Sequence, residues 1–282
     1  MVFAVVTDST AYLPEGFADR HSVRVVPLTV RVGDREHRDG VDLGPAELAA
    51  ALTARKDVST SRPNPEEFIA EYRSLLDAGV DGVLSVHLSR ELSGTWESAR
   101  LAAEEVDPSR VRVVDSRTTA MGLGFGVLRA AAVAATGAEG AEVEAAAVDA
   151  AENTRSFFVV ETLEHLRRGG RIGAAQALLG TALAVKPVLH VHDGRIVPLE
   201  KVRTTSRAMT RLVELAVAAA GDRPVELAVH HLAAADRAAE LATRLDELVP
   251  QASGCVVSEL GAVIGAHTGP GVVGVVVCPG KL

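Results

Sequence analysis

FAVVTDS, residues 3–9, decides the fold. An apolar, β-branched run stops abruptly in three small polar residues. A half-exposed strand would alternate apolar with polar positions; this one does not, so it reads as a strand buried on both faces. The same pattern returns in GVLSVHLS (82–89) and RVRVVDS (110–116), and VRVVPLTVRV (23–32) reads as β-branched and extended. Between these runs lie helical patterns. PAELAAALTARKD (45–57) begins with a proline suited to a first helical position. NPEEFIAEYRSLLDAG (64–79) sets Phe68, Ile69, Tyr72, Leu75 and Leu76 at helical spacing and closes on Gly79. SGTWESARLAAEEV (93–106) is a helix opened by Ser93, and an Ala-rich helix covers about 119–136. Strand–helix alternation of this kind predicts a mostly parallel sheet with helices on both faces.

After a helix at about 141–154 the pattern changes. Residues 157–180 read as a strand, a short helix, a Gly-Gly break and another helix. KPVLHVHDGRIVPLEKV (186–202) is a hairpin turning on Asp193-Gly194. A helix to about 220, a strand at 225–231, a helix at 233–248 and strands at 255–260 and 272–278 complete a mixed sheet with helices to one side. The expectation is a two-lobed α/β protein with a cleft between the lobes: an N-terminal domain over 1–155 and a C-terminal domain over 156–282.

With 48% hydrophobic and 23% charged residues, the 282-residue chain is globular in composition. A net charge of −8 argues against a nucleic-acid partner; the densest basic run, Arg167-Arg168 followed by Arg171, serves one anion rather than a duplex. Cys255 and Cys278 sit beside valine-rich runs and read as reduced core thiols. The N-terminal stretch reads as a strand, not a signal peptide, and no uncharged apolar run reaches the ~18 residues of a membrane helix. The expectation is a soluble, cytoplasmic protein without stable membrane insertion.

Small polar residues collect where the strands end: Thr7-Asp8-Ser9, Ser89 before Ser93-Gly94-Thr95, and Asp115-Ser116, with Thr60-Ser61-Arg62-Pro63 just before a helix. Ligands of open α/β sheets bind beyond the carboxyl ends of strands, and free amides at a helix N-terminus favour anions. Ser93 can point inward while Gly94 lets a ligand approach the backbone; Ser93 and Ser61 can equally be plain N-caps. Familiar catalytic apparatus is missing. Neither GxGxxG nor GxxxxGK[ST] follows the first strand, and LSGTW is not the GxSxG elbow. His190 and His192 share a strand face but lack a third metal ligand. Asp8 and Asp115 fit acid–base work or, more commonly, turn-stabilising roles. The long aliphatic runs at 174–185 and 272–277 are core or a complement to the anion corner.

TDS after the first strand, TSRPNP (60–65), LSGTWESA (92–99), VVDS (113–116), LRRGGRI (166–172), KPVL (186–189), EKVRT (200–204) and GAHTGPG (265–271) occur in that order and span the chain. Together they resemble the DegV family of bacterial fatty-acid-binding proteins. The resemblance implies a non-catalytic protein that buries one long-chain fatty acid with its carboxylate at the lobe boundary. It also implies a partner: an ATP-dependent fatty acid kinase subunit that makes an acyl phosphate for phospholipid synthesis. No cofactor and no metal are implied beyond the bound lipid. Carried over by position, the carboxylate-binding residues are Thr60 or Ser61, Ser93, Gly94 and His267. Arg171, Thr95 and Thr268 lie near the site, and Arg203 faces the kinase. Arg62 stands where the family usually has Gln or another polar residue. GAHTGPG is expected to be a tight turn that delivers His267. Two alternatives stay open: a stand-alone hydrolase or transferase using Ser93 with His267, and a lipid carrier or sensor with no kinase. A monomer is the expectation for a carrier that docks to an enzyme.

Overall fold

A computed structural model describes residues 1–178 and 186–281. Its contacts divide the chain into two units: Met1–Thr29 with Ser61–Asn153, and Val30–Thr60 with Thr154–Lys281. The fold is α/β, with a parallel sheet in the first unit and a mixed sheet in the second.

The first unit holds four strands in the order Val23–Val26, Phe3–Asp8, Gly82–His87, Val111–Asp115, every pair parallel. Successive side chains of a strand point to opposite faces, and both faces are covered. Val5, Leu84, Val86 and Val114 pack with Leu123, Val127, Val143 and Ala147 of helices Met121–Ala134 and Gly140–Asn153. Val6, Val26, Val83 and Val111 pack with Phe68, Tyr72, Ala99 and Ala102 of helices Pro65–Asp77 and Thr95–Val106. That two-sided burial, at roughly 1.5–3 kcal/mol per large apolar side chain, is why these strands read as unbroken apolar runs.

The stretch 23–32 is not one extended element. It breaks at Pro27 into Val23–Val26 and Thr29–Val32, which belong to different sheets. Proline has no N–H to donate to a ladder. Thr29–Val32 is the central strand of a small sheet, between Arg35–Arg38 and Val58–Ser61. Neither outer strand has the apolar content that marks a strand in sequence.

The second unit's larger sheet has six strands in the order Arg195–Val202, Lys186–His192, Arg155–Val159, Val273–Pro279, Val225–His231, Ala252–Glu259. All neighbours are antiparallel except the last pair. Phe157, Val159, Val188, Leu227, Val229, Val275 and Val277 pack with Leu212, Val213, Leu241 and Leu245 of helices Thr205–Ala220 and Ala235–Leu248. Asp193 (φ 49°) and Gly194 (φ 78°) make the hairpin turn, both in the left-handed region that a type I′ turn requires.

A cut near residue 155 assigns residues 30–60 to the first half, but their contacts are with the second unit. Helix Pro45–Thr53 packs on helix Ala262–Thr268, whose Gly265 sits against Leu48. Buried Asp39 accepts a hydrogen bond from the Ala262 amide at 2.7 Å, capping that helix. GAHTGPG is therefore not simply a turn. Its first four residues finish helix Ala262–Thr268, and only Gly269 and Gly271, with φ of 77° and 87°, turn the chain. The glycine and proline density masked a two-turn helix whose apolar residues, Ala262 and Val263, precede the motif. The helix expected after Gly169-Gly170 is, as far as Leu178, a 3₁₀ segment Gly173–Leu178. The rest of the aliphatic run 174–185, from residue 179, lies outside the described residues.

Candidate functional site

In the second unit, strand Val58–Ser61 and helix Ala262–Thr268 bring together residues 207 positions apart: Thr60 Oγ1 lies 2.8 Å from His267 Nε2. Because side chains alternate along a strand, Ser61 points away from this pair, and it is exposed. LRRGGRI supplies the third wall. Gly169 lies so close to His267 that a Cβ there would collide with ring Nδ1, and a Cβ on Gly269 would collide with the ring of His165. The two segments thus interlock: His267 lies over Gly169, and His165, just ahead of LRRGGRI, lies over Gly269. Arg171 Nη1 donates to the Gly169 carbonyl at 2.6 Å.

Thr60, His165, Gly169, Arg171 and His267 all line one cleft of about 1030 Å³, and its charged lining includes Arg55, Lys56 and Arg168 together with Asp57 and Glu164. Burial, reinforced by the charge of Arg171, pushes the pKa of His267 down to about 4. The ring is neutral at pH 7 and carries one N–H. His267 Nδ1 is buried and has no hydrogen-bond partner among the described residues. With the proton on Nε2, the ring donates to Thr60 Oγ1 and leaves the Thr60 O–H free to donate elsewhere. In that state an anion in the cleft can accept from the Thr60 hydroxyl. The arrangement can therefore hold a carboxylate with a neutral donor, without a bidentate arginine clamp.

The first unit presents a separate polar corner. Helix Thr95–Val106 opens at Gly94, not at Ser93. Ser93 Oγ accepts from the Thr95 amide at 3.3 Å and lies 2.9 Å from Thr95 Oγ1. Ser93 is half-buried and Thr95 fully buried. Arg62 reaches over the same turn and donates to the Gly94 carbonyl at 3.4 Å. Ser93, Gly94, Thr95 and Arg62 form one cluster, then, and Thr60, Arg171 and His267 another. Thr268 joins neither, since its hydroxyl donates back to Ile264 O at 3.0 Å within its own helix. Arg203 is exposed just after strand Arg195–Val202.

Sequence reasoning missed His165 and Gly169. The signal was a histidine close to a glycine in each of two distant segments, His165 before Gly169 and His267 before Gly269. The rings of His190 and His192 stack 5.5 Å apart. Among the described residues no group of three or more His, Cys, Asp or Glu side chains is placed to hold a metal ion, and no helix is long and apolar enough to cross a membrane.

A model of the DegV family, described as an uncharacterised protein family, matches residues 2–280. A DegV domain-containing protein of Streptomyces coelicolor is 56% identical over 274 residues, covering 97% of both chains. A solved structure reporting fatty acid binding by a DegV family protein of Thermus thermophilus is 38% identical, with a TM-score of 0.94 over 99% of this chain and 100% of the other. The structure of Bacillus subtilis DegV, described as a fatty acid binding protein, is 34% identical, with a TM-score of 0.91 over the same shares. This chain belongs to the DegV family.

Proposed function

We propose that this protein binds one long-chain fatty acid and offers its carboxylate to a separate ATP-dependent kinase subunit for conversion to acyl phosphate. The observation that carries the reading is the Thr60–His267 pair on the cleft: a neutral imidazole that can donate through Nε2 to Thr60 Oγ1 and so leave the hydroxyl proton to donate to an anion. The fatty acid binding of the Thermus and Bacillus relatives supports it. The carboxylate set is Thr60, His267, Ser93 and Gly94, and Arg203 belongs to the surface that meets the kinase. Ser61, exposed and turned from His267, drops to a lesser role than Thr60. No cofactor is needed beyond the lipid, and the reading places the protein in the cytoplasm.

The energetics suit a carrier. Burying a methylene is worth about 0.8 kcal/mol, so a sixteen-carbon chain gains on the order of 10 kcal/mol before the loss of ligand freedom takes back several. A buried carboxylate is costly unless hydrogen-bonded, which explains polar corners in an otherwise aliphatic protein. The hydrolase reading has less support. The side-chain hydrogen bonds of Ser93 go to Thr95, which cannot serve it as a general base.

Titration with labelled oleate, followed by addition of a DegV-dependent fatty acid kinase and ATP, tests the proposal. We expect saturable binding, acyl phosphate only when both proteins are present, and a Ser93→Ala variant that binds about tenfold more weakly. Arg203→Ala is expected to bind oleate normally yet be phosphorylated poorly. Ester or acyl-transfer turnover by the protein alone, abolished in Ser93→Ala, contradicts the proposal.

A further inference from the structure

The first unit contains a chain of four hydrogen-bonded side chains with no exposed surface: Tyr72, Ser85, His87 and Asp8. The Tyr72 hydroxyl donates to Ser85 Oγ at 2.8 Å, Ser85 Oγ lies 2.7 Å from His87 Nε2, and His87 Nδ1 lies 3.0 Å from Asp8 Oδ2. A carboxylate only accepts, so the ring proton sits on Nδ1, and Nε2 accepts from Ser85. Asp8 also accepts from the Thr10 amide at 3.0 Å, the Thr10 hydroxyl at 2.6 Å and the Leu88 amide at 3.0 Å. Phe68 packs edge-on against the His87 ring at 5.0 Å.

Asp–His–Ser is the composition of a nucleophilic triad, but a triad must meet its substrate and this one is sealed. Its place in the fold gives it another use. Asp8 and His87 are the last residues of neighbouring parallel strands, on the face that carries helix Thr95–Val106. Leu88, held by Asp8, is the first residue beyond its strand. Next comes Ser89, whose carbonyl accepts from the amides of Leu92 at 3.0 Å and Ser93 at 3.1 Å. The Asp8 contact is therefore one fixed end of the turn that carries Ser93, beside the bond from the Ser89 amide to Thr118 O at 2.9 Å. A fully satisfied buried network is rigid, which a turn with no regular structure cannot be by itself.

We propose that the Asp8–His87 pair positions the 88–95 turn, and through it the Ser93 hydroxyl and the helix opening at Gly94, for the ligand's carboxylate. This rests on the fatty-acid reading above. His87 and Asp8 are positioning residues that never touch the ligand.

The test compares equilibrium binding of the fluorescent fatty acid cis-parinaric acid by the full chain and three variants, each with its thermal midpoint. His87→Asn keeps a donor where Nδ1 meets Asp8; His87→Gln keeps a polar group where Nε2 meets Ser85 and abandons Asp8. Val143→Ala, a cavity on the opposite face of the sheet, controls for lost stability. Expected are binding weakened by less than about threefold in His87→Asn, by about tenfold or more in His87→Gln, and no loss in Val143→Ala, although all three melt earlier. Losses equal in the two His87 variants, or following the melting points across all three, overturn the proposal. If His87→Gln does not fold, Thr10→Val replaces it, removing one Asp8 donor with little change of shape. About threefold weaker binding is then expected, and unchanged binding overturns the proposal. Failure of the wild-type chain to bind cis-parinaric acid overturns the fatty-acid reading instead.

Discussion

Two histidines, the buried His87 and the half-buried His267, sit in polar clusters built from similar side chains, and the clusters differ in one respect. Around His87 both ring nitrogens have partners, and the Asp8 carboxylate it meets is fully hydrogen-bonded. Around His267 the Nε2 atom meets Thr60 while Nδ1 has no partner among the described residues. A complete network holds a structure in place, whereas an incomplete one keeps hydrogen-bonding capacity in reserve for something else. Under the proposed function, the contrast separates a device that shapes the protein from one that receives a ligand through the Thr60 hydroxyl. Substitutions in the two clusters should therefore differ in kind as well as size.

The largest effect should come from the complete cluster. Asp8→Ala strands the buried donors of Thr10, His87 and Leu88, and we expect a loss of about 3–5 kcal/mol in chemical denaturation. A loss below about 1 kcal/mol would mean that the network holds little together. Next is Gly169→Ala at the incomplete cluster. The backbone there is ordinary helix, at φ −73°, so the only penalty is the collision with His267. Overpacking of this kind costs about 1–3 kcal/mol, and fatty acid affinity should fall by about tenfold or more as the ring is displaced. Native affinity in that variant would remove His267 from the site.

The sharpest difference in kind concerns acid. Burial and Arg171 hold the pKa of His267 near 4, below its ordinary 6.5. The unfolded chain then binds more protons than the folded one between those values. Stability that is intact above pH 6.5 is lost as pH falls towards 4, by up to about 3 kcal/mol from this group. Buried His230, also pushed down to about 4, adds to the loss in the same window. His267→Ala should therefore bind fatty acid about tenfold more weakly yet lose less stability than the wild type between pH 6.5 and pH 4.5. An acid profile identical to the wild type would contradict a neutral ring. The smallest expected signal is a bound carboxylate raising the His267 titration midpoint, readable by NMR of the ring, since an opposite charge favours the protonated form.

How much of this is legible in the sequence follows from what each feature needs. The strands of the first sheet show plainly in FAVV, GVLSV and VRVV, because burial on both faces leaves no polar position to blur them. The strands Arg35–Arg38 and Val58–Ser61 are invisible because REHR and VSTS hold a single apolar residue between them. The helix at Ala262–Thr268 is hidden by glycines that serve close packing at Gly265 rather than a turn. At the candidate site, no periodicity connects Thr60 with His267, and only the family resemblance placed them in one set. The Asp8–His87 pair left a trace that went unread: a charged residue and a histidine at the inward positions that close two buried parallel strands. There a polar side chain survives only with partners.

The central claim is that this chain carries a fatty acid, and the lipid it retains tests that most directly. Protein purified in its native state, then denatured and extracted, should release close to one equivalent of a long-chain fatty acid by mass spectrometry. Chain stripped of lipid should take up labelled oleate to the same level. Extracts without fatty acid, together with no oleate uptake by the stripped protein, would contradict the account.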